Sequence, residues 1–440
     1  MNKQNLEVLE RVEHEEISFI DLMFSDLYGQ LKCVTISPRE LADCLEYGKW
    51  FDGSSVEGFT RIHESDMLLL PDPTTYIKLP WPRHGKNAAR IICDVHEPEK
   101  VPFKGAPRNI LKRIYKKAEK KGWSYQVGPE IEFFLLGSKT EVDYHDRASY
   151  FDFSPMDLGT DIRAVMVSTL EGLGVEVEMT HHECGPSQHE IDIGYTDAVK
   201  SADNILVAKQ AIKTVASSRG LHATFMPKPK SGVAGSGMHI HQSLFNGDGE
   251  NLFHDDRDPY QLSTLAYHFM GGQLEHIREM AAILCPTVNS YKRLGGFEAP
   301  VHVCWGQRNR SALIRVPKYG KNRQESARLE LRCPDPSCNP YIAFAVMLAA
   351  GLRGIEKKIE PPEPVEEDVF DFDDAKLAEF YIKSMPSDLG EAIAELEQSK
   401  FMKATLGEHA FEKYLGLRNA EWADYKRSVT DWEREHYMDL

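Results

Sequence analysis

Along most of this chain apolar residues either alternate with polar ones or gather in short runs, and the period separates strand from helix. Residues 4–15 carry apolar positions at helical spacing. Ile17–Phe24 and Leu31–Ile36, divided by a turn at Gly29, predict two strands of a small β-rich hairpin unit. Pro38 opens a helix predicted to reach Tyr47. Phe51-Asp-Gly-Ser-Ser-Val-Glu-Gly-Phe59 is dense in Gly and Ser and predicts a loop, either a plain connector or a binding lip. Three prolines and a glycine between Glu97 and Arg108 place a boundary near residue 105, giving domains 1–105 and 106–440.

Beyond that boundary the periods alternate. Residues 108–121 predict a Lys-rich amphipathic helix closed by Gly122, with its charges on a solvated face. Asp157–Leu173 predicts a helix closed by Gly174, Val175–Thr180 a strand, and Ala198–Ser218 and Tyr260–Leu284 two longer helices. Helices and strands in alternation imply an α/β or α+β second domain. Glu360–Asp368 is acidic and Pro-rich, a linker or surface loop, and Asp373 to the end reads as helical with Trp422 and Trp432 as packing anchors.

One strand stands out. Gly128-Pro-Glu-Ile-Glu-Phe-Phe-Leu-Leu136 is apolar and aromatic, entered through a Gly-Pro turn, and its period of two puts Glu130 and Glu132 on one face. Two ionised carboxylates there repel, and burying either without a partner costs several kcal/mol, so a solvated edge strand or a bound cation must explain them.

Composition narrows the classes. The chain has 440 residues, 42% hydrophobic and 27% charged, with 52 basic against 68 acidic residues for a net charge of −16. That balance excludes nucleic acid and anionic membranes as expected partners and favours cation binding. Eight cysteines lie scattered without a C-x-x-C pair, which predicts reduced thiols, and no stretch approaches the ~18 apolar residues of a membrane span. The N-terminus is charged and helical, unlike a signal peptide, so a cytoplasmic location is expected.

Four more stretches could carry chemistry. His181-His-Glu183 to Glu190 offers carboxylates around a Gly-Pro turn; it is not a zinc-protease helix, because Pro186 breaks the helix such a motif needs. Simple alternation puts Glu178 and Glu183 on opposite faces unless a bulge intervenes. Gly232–Gly237 is a Gly-rich loop running into a strand with His239, His241 and Ser243 on one face, suited to close backbone approach by a phosphate. Lys292, Arg293, Arg308, Arg310 and Arg315 concentrate around Gly295-Gly-Phe-Glu298, as a carboxylate or phosphate site or as a solvated basic face. Arg328-Leu-Glu-Leu-Arg332 alternates strictly, as an ion-pair ladder or a site wall. Carboxylates with few imidazoles favour Mg²⁺ or Mn²⁺ over zinc, and cations with arginines suit phosphoryl transfer.

In this order the stretches Phe51-Asp-Gly-Ser-Ser55, Gly128-Pro-Glu-Ile-Glu132, His181-His-Glu to Glu190, Gly235-Ser-Gly-Met-His239, Asn289-Ser-Tyr-Lys-Arg293, Asn309-Arg-Ser311 and Arg332-Cys-Pro-Asp-Pro336 to Asn339-Pro340 resemble the prokaryotic type I glutamine synthetases over the whole chain. The resemblance implies an α+β protein, with a small N-terminal β-grasp-like domain and a large catalytic α/β domain built on a curved antiparallel sheet. It implies a homo-dodecamer of two stacked hexamers with sites between subunits. It also implies two divalent ions per site, Mg²⁺ or Mn²⁺, with ATP, L-glutamate and ammonium as substrates, and leaves room for a small regulatory protein. By motif, Glu132, Glu183 and Glu190 correspond to the ligands of one ion and Glu130, His239 and Glu330 to those of the other. Glu178, Tyr195, His241, Ser243 and Arg328 correspond to ATP contacts, and Arg310 and Arg315 to phosphate contacts. Arg293, Arg332 and the Gly235 backbone, beside His239, match the glutamate site. Asp52 of the adjacent subunit matches the base that deprotonates ammonium, beside Ser55, Tyr150, Glu183 and Glu298.

Three departures accompany the resemblance. The flap Arg293-Leu-Gly-Gly-Phe-Glu298 is one residue shorter than the family's and lacks its proline, Ala234 replaces an Asn beside the Gly-rich loop, and Phe370 stands where adenylylated members carry a tyrosine. The last implies the non-adenylylated subclass. The competing expectations are a γ-glutamyl ligase for a larger amine and a catalytically inactive structural or regulatory relative; retention of Asp52, Tyr150, Glu298 and all six metal-ligand positions weighs against both.

Overall fold

The computed structural model describes residues 2–54, 56, 58, 66–297 and 299–440. At the N-terminus α1 (Lys3–His14) leads into β1 (Ile17–Ser25) and β2 (Leu31–Ile36), an antiparallel pair whose turn uses Gly29 at φ +79°. A 3-10 turn begun by Pro38 feeds α2 (Leu41–Tyr47), and β3 (Lys49–Asp52), β4 (Asp66–Pro71), β5 (Ile77–Lys78) and β6 (Asn87–His96) complete the sheet. Its order is β2-β1-β6-β4-β3, with β5 also on β6 and with β1 and β6 parallel at the centre. Ile20, Leu22, Leu41, Leu69 and Ile91 form its core. Phe51 and Asp52, expected in the Gly/Ser loop, instead close β3 by pairing with Met67 and Asp66.

The second domain begins with α3 (Pro107–Glu119) and β7 (Ser124–Leu136), then α4 (Thr160–Gly172), β8 (Val177–His182), β9 (Gln188–Ile193), β10 (Thr196–Asp197) and α5 (Ala198–Ser218). It continues through β11 (His222–Thr224), β12 (Ile240–Phe245), α6 (Thr264–Leu284), α7 (Ser290–Arg293), β13 (Trp305–Gly306), β14 (Ile314–Arg315), β15 (Leu329–Leu331) and α8 (Pro340–Lys357). A helical tail follows: α9 (Asp374–Glu379), α10 (Leu389–Gln398), α11 (Lys400–Leu406), α12 (Glu408–Tyr425) and α13 (Asp431–Tyr437). Among the described residues the large sheet has nine strands, ordered β13-β14-β15-β12-β7-β9-β8 with β10 and β11 also on β7, antiparallel apart from the β13–β14 pair. α3, α5, α6 and α8 pack behind it. α6 and α8 approach so closely that a Cβ on Gly272 would lie 2.2 Å from the Ala350 carbonyl oxygen.

The structure corrects five further sequence expectations. Gly128-Pro129 is no entry turn, because β7 runs straight through it. Glu130 N–H and Glu132 N–H both donate toward the chain of β12, to His239 O and Gly237 O, so the donor that Pro129 lacks would point to the opposite side. There the ladder is already broken between Asp192 of β9 and Thr196 of β10, and proline removes no bond. α4 begins at Thr160 because Asp157 spends its carboxylate on Gly159 N–H, Thr160 and Arg163, and α6 begins at Thr264 under the Ser263 cap. β8 starts at Val177 and extends to His182. Trp422 packs against Gly390, but Trp432 is 56% exposed and stacks on His436, so it anchors nothing in this chain.

One buried cation ties the domains together. Arg108, at the start of α3, donates to Asp94 (2.6 Å), Asp72 (2.9 Å) and both oxygens of Asp203 (3.0 and 2.9 Å), and Tyr341 Oη adds a bond to Asp203. Removing one member of such a network strands the others in low dielectric. Arg108→Ala is expected to cost about 3–5 kcal/mol, read as a fall in thermal midpoint by calorimetry; an unchanged midpoint would show the network to be dispensable.

Candidate active site

β7 builds the centre of the site. Glu130 and Glu132 project from one face of it, as their period of two requires, and the strands on either side bring the partners. From the β12 side come Gly235, Gly237, His239 and His241; from the β9 side come Gln188, Glu190 and Asp192. β15, beyond β12, adds Arg328, Glu330 and Arg332, and β14 adds Arg315. The Gly-rich stretch passes without Cβ atoms for steric reasons. A Cβ at Gly235 would lie 2.3 Å from Pro227 O, and one at Gly237 would lie 2.5 Å from Arg293 Nη2.

Two adjoining cavities result. The first, about 470 Å³, is lined by Glu130, Glu132, Glu183, Glu190, His239 and Glu330 together with Tyr150, Gly235, Arg293, Arg310, Arg315 and Arg332. The second, about 760 Å³, is lined by Glu178, Tyr195, His241, Ser243, Arg315 and Arg328. They share Glu130, Met179 and Arg315 as walls. The β8–β9 register does slip, between Val177 and Met179, yet Glu178 lines the larger cavity and Glu183 the smaller, so the two do not share one. The expected basic group divides: Arg293, Arg310 and Arg315 face the first cavity, whereas Lys292 sits over the Tyr425 ring and Arg308 pairs its backbone N–H with Glu366. Asp52 lines neither cavity; it is exposed at the end of β3. Ser55 and Glu298 lie outside the described residues.

The carboxylates fall into two neighbouring sets. Glu130, His239 and Glu330 present ligand atoms within 4.8 Å of one another, as do His181, Glu183 and Glu190. His181 was not among the site residues expected from the sequence; its Nε2 is 3.1 Å from Glu190 Oε1, and the only signal for it was its place beside His182-Glu183. Glu132 sits between the sets, with Oε1 4.0 Å from His239 Nε2 and Oε2 accepting from Gln188 Nε2 and Gly237 N–H, each at 3.0 Å. Gln188, also unforeseen, bridges Glu132 to the Gly235 carbonyl.

Hydrogen bonds fix the tautomers. Arg328 Nε donates to His241 Nδ1 at 3.1 Å, so His241 donates from Nε2 to Glu130 Oε1 at 2.6 Å. Glu330 settles the ladder-or-wall alternative as both: it accepts from Arg332 and Arg315, each at 2.7 Å, while walling the cavity. Arg293, 3% exposed, gives its guanidinium to the carbonyls of Cys333 and Arg332, which orients it without neutralising it.

Burial and mutual repulsion act against the carboxylates that lack such donors. Burial, then Glu132, raises Glu183 to about 7, and burial with Glu132 and Glu130 raises Glu190 well above the usual range. Burial and Glu130 raise Asp192 to about 7. Glu130 is instead held well below the usual range by His241 and His239 against its burial. Oxygen-rich sets with one imidazole each fit hard divalent cations, whose charge relieves the repulsion that raises Glu183 and Glu190.

Two family models match the chain: the glutamine synthetase β-Grasp domain over residues 16–98 and the glutamine synthetase catalytic domain over residues 104–437. The chain belongs to the glutamine synthetase family. It is 48% identical to the glutamine synthetase of Methanosarcina mazei over 99% of this chain and 97% of that one, and 47% identical to that of Halobacterium salinarum over 98% and 96%. A solved GmaS/ADP complex superposes with a TM-score of 0.89 at 32% identity, covering 98% of this chain and 99% of that one. Membership makes the chain a ligase of the glutamine synthetase type, an ATP-dependent maker of glutamine. No helix among the described residues is long and apolar enough to cross a membrane.

The raised carboxyls give the metal-free enzyme a pH signature. Glu183 has a folded pKa near 7 against an ordinary 4.5, so its contribution to stability is present below about 4.5 and lost as the pH rises through 7. Thermal unfolding in chelator is expected to show the midpoint falling across that window. Saturating Mg²⁺ or Mn²⁺ removes the fall, and Glu183→Gln lessens it without metal, leaving the share that Asp192 and Glu190 contribute.

Proposed function

We propose that the chain joins ammonia to the γ-carboxylate of L-glutamate through γ-glutamyl phosphate, releasing glutamine, ADP and phosphate. The observation that carries this is the shared wall of the two cavities, where Glu130 and Arg315 would stand between a nucleotide's terminal phosphate and a bound carboxylate. Glu178, Tyr195, His241, Ser243 and Arg328 would hold the nucleotide in the larger cavity. Arg293, Arg332 and the Gly235 backbone would hold glutamate in the smaller one, beside His239. Glu130, His239 and Glu330 would hold one divalent ion, and Glu132, Glu183 and Glu190 a second. Bound there, Mg²⁺ or Mn²⁺ supplies neutralisation of phosphate charge.

The residues then have distinct tasks. Arg315 and Arg310 lie along the path of the moving phosphoryl group and oppose its charge. A carboxylate oxygen is a poor leaving group, and phosphorylation replaces it with phosphate, which ammonia displaces. Tyr150, exposed and edge-on to His181, borders the pocket with Glu183, where ammonium would bind as a cation. Asp52 would take its proton from a neighbouring subunit, since in its own chain it lies outside the cavity; Ser54 keeps its carboxyl ionised below the usual range. Ser55 and Glu298 complete that pocket by motif alone. This need for a neighbour supports a homo-dodecamer of two stacked hexamers, and a cytoplasmic location is compatible with the finding that no helix among the described residues is long and apolar enough to cross a membrane.

A coupled ADP-release assay with glutamate is expected to respond to ammonium and little to methylamine or larger amines; the reverse order would assign a different γ-glutamyl ligase. Glu330→Ala should lower turnover by orders of magnitude with the fold retained, and near-normal turnover would refute that ion's ligand set.

The flap makes a further prediction. Gly295 (φ +92°) and Phe297 (φ +51°) both adopt left-handed backbone, and Lys228 Nζ lies 4.7 Å over the Phe297 ring while bonding Val233 O of the Gly-rich loop. Without its proline the flap has a less constrained backbone. ATP hydrolysis with glutamate but no ammonium is expected to be measurable, and a negligible rate would show that the short flap still excludes water.

A further inference from the structure

Behind the metal-ligand turn lies a wholly buried polar cluster of Asp146, His182, His189, Arg163 and Asp157, none of which belongs to the site described above. Asp146 comes from the loop between β7 and α4, far in sequence from the turn it touches. It clasps Ser187 reciprocally: Asp146 N–H donates to Ser187 Oγ at 2.9 Å, Ser187 N–H donates to Asp146 Oδ1 at 3.0 Å, and Ser187 Oγ–H donates to Asp146 O at 3.2 Å. Ser187 is at φ +61°, a conformation that serine keeps only under constraint. The same Oδ1 accepts from His182 Nε2 at 2.9 Å, and His182 Nδ1 donates to the Glu183 carbonyl at 2.7 Å. Both ring nitrogens therefore face acceptors, which makes His182 a buried imidazolium paired with the Asp146 carboxylate.

The trio Asp146, His182 and His189 has the spacing of a metal site, with ligand atoms within 4.8 Å, but not the chemistry. Arg163 Nη1 donates to His189 Nδ1 at 2.9 Å while its guanidinium is held by Asp157. His189 then carries its proton on Nε2, pointing at Asp146 Oδ2 4.0 Å away, and neither histidine has a lone pair to offer an ion. The cluster is a fixed charge network, and what it fixes is the turn that Glu183 opens and that leads into β9, which carries Glu190.

We propose that Asp146 and His182 are positioning residues that set the spacing of Glu183 and Glu190 for a divalent ion. Asp146 holds the far side of the turn through Ser187, and His182 holds the backbone of Glu183 from below. Meanwhile Glu183 N–H and Gln188 O close the turn across its mouth at 2.8 Å. The proposal rests on the assignment of Glu183 and Glu190 as metal ligands, and outer contacts of this kind change metal affinity by about 10–100-fold.

The test is Mn²⁺ titration of the full-length enzyme by electron paramagnetic resonance, which resolves the two ions by affinity. Asp146→Ala is expected to weaken one ion about 10–100-fold, leave the other unchanged, and recover turnover when Mn²⁺ is raised in proportion. Asp146→Asn, which keeps the acceptor for Ser187 N–H, should recover part of the lost affinity. A folded Asp146→Ala with both affinities unchanged would overturn the proposal, as would an equal loss at both ions that Asn does not rescue. If Asp146→Ala fails to fold, Ser187→Ala removes the hydroxyl clasp alone, and an unchanged titration there would overturn it equally. A wild-type enzyme that binds one ion or none would instead remove the ligand assignment itself.

Discussion

Mutual repulsion among carboxylates gathered in one cleft is the constraint on which this structure depends. Glu130, Glu132, Glu183, Glu190, Asp192 and Glu330 are drawn to one region by adjoining strands of one sheet, and an uncompensated charge at such depth costs several kcal/mol. The fold answers unevenly. Glu330 receives two arginines and Glu130 two imidazoles, so these stay ionised, whereas Glu183, Glu190 and Asp192 are left to hold protons. The unevenness is functional. A site whose charges were fully satisfied by protein groups would have no use for a cation, and one with no compensation would not fold.

The sheet makes this geometry possible through the length of β7. Its first half pairs with β12 and β10 and its second half with β9 and β11, so residues far apart in sequence converge where the partners change. Pro129 sits at the changeover, a Cβ on Gly237 would crowd both Arg293 Nη2 and Glu132 Oε1, and the β8–β9 register slips beside Glu178. Each irregularity in the ladder falls at the site, while the regular packing of α3, α5, α6 and α8 lies behind the sheet.

Much of the site was legible because each of its parts is local. E-x-E, H-x-H-x-S and R-x-E-x-R state their faces by a period of two, and β7, β12 and β15 present those faces as expected. Helix starts at Thr160 and Thr264 came out three or four residues late, because Asp157 and Ser263 compete for the first N–H groups, and competition between caps is not expressed in hydrophobic period. Trp432 was misplaced because bulk alone does not say whether a partner surface exists in the same chain.

His181, Gln188 and the Asp146–His182 clasp were not legible. Their importance comes from contacts such as Asp146 with Ser187 or Gln188 with Gly235, across tens of residues, with no local pattern to announce them. The sequence by itself determined which side chains share a face and which charges the chain carries, since both follow from backbone period and composition. Only the tertiary structure decided which carboxylates meet, which of them find a cation among the protein's own residues, and which are left in want of one. Electrostatic energy at these distances is set by separation in space and by the loss of water, and neither is a property of a linear chain.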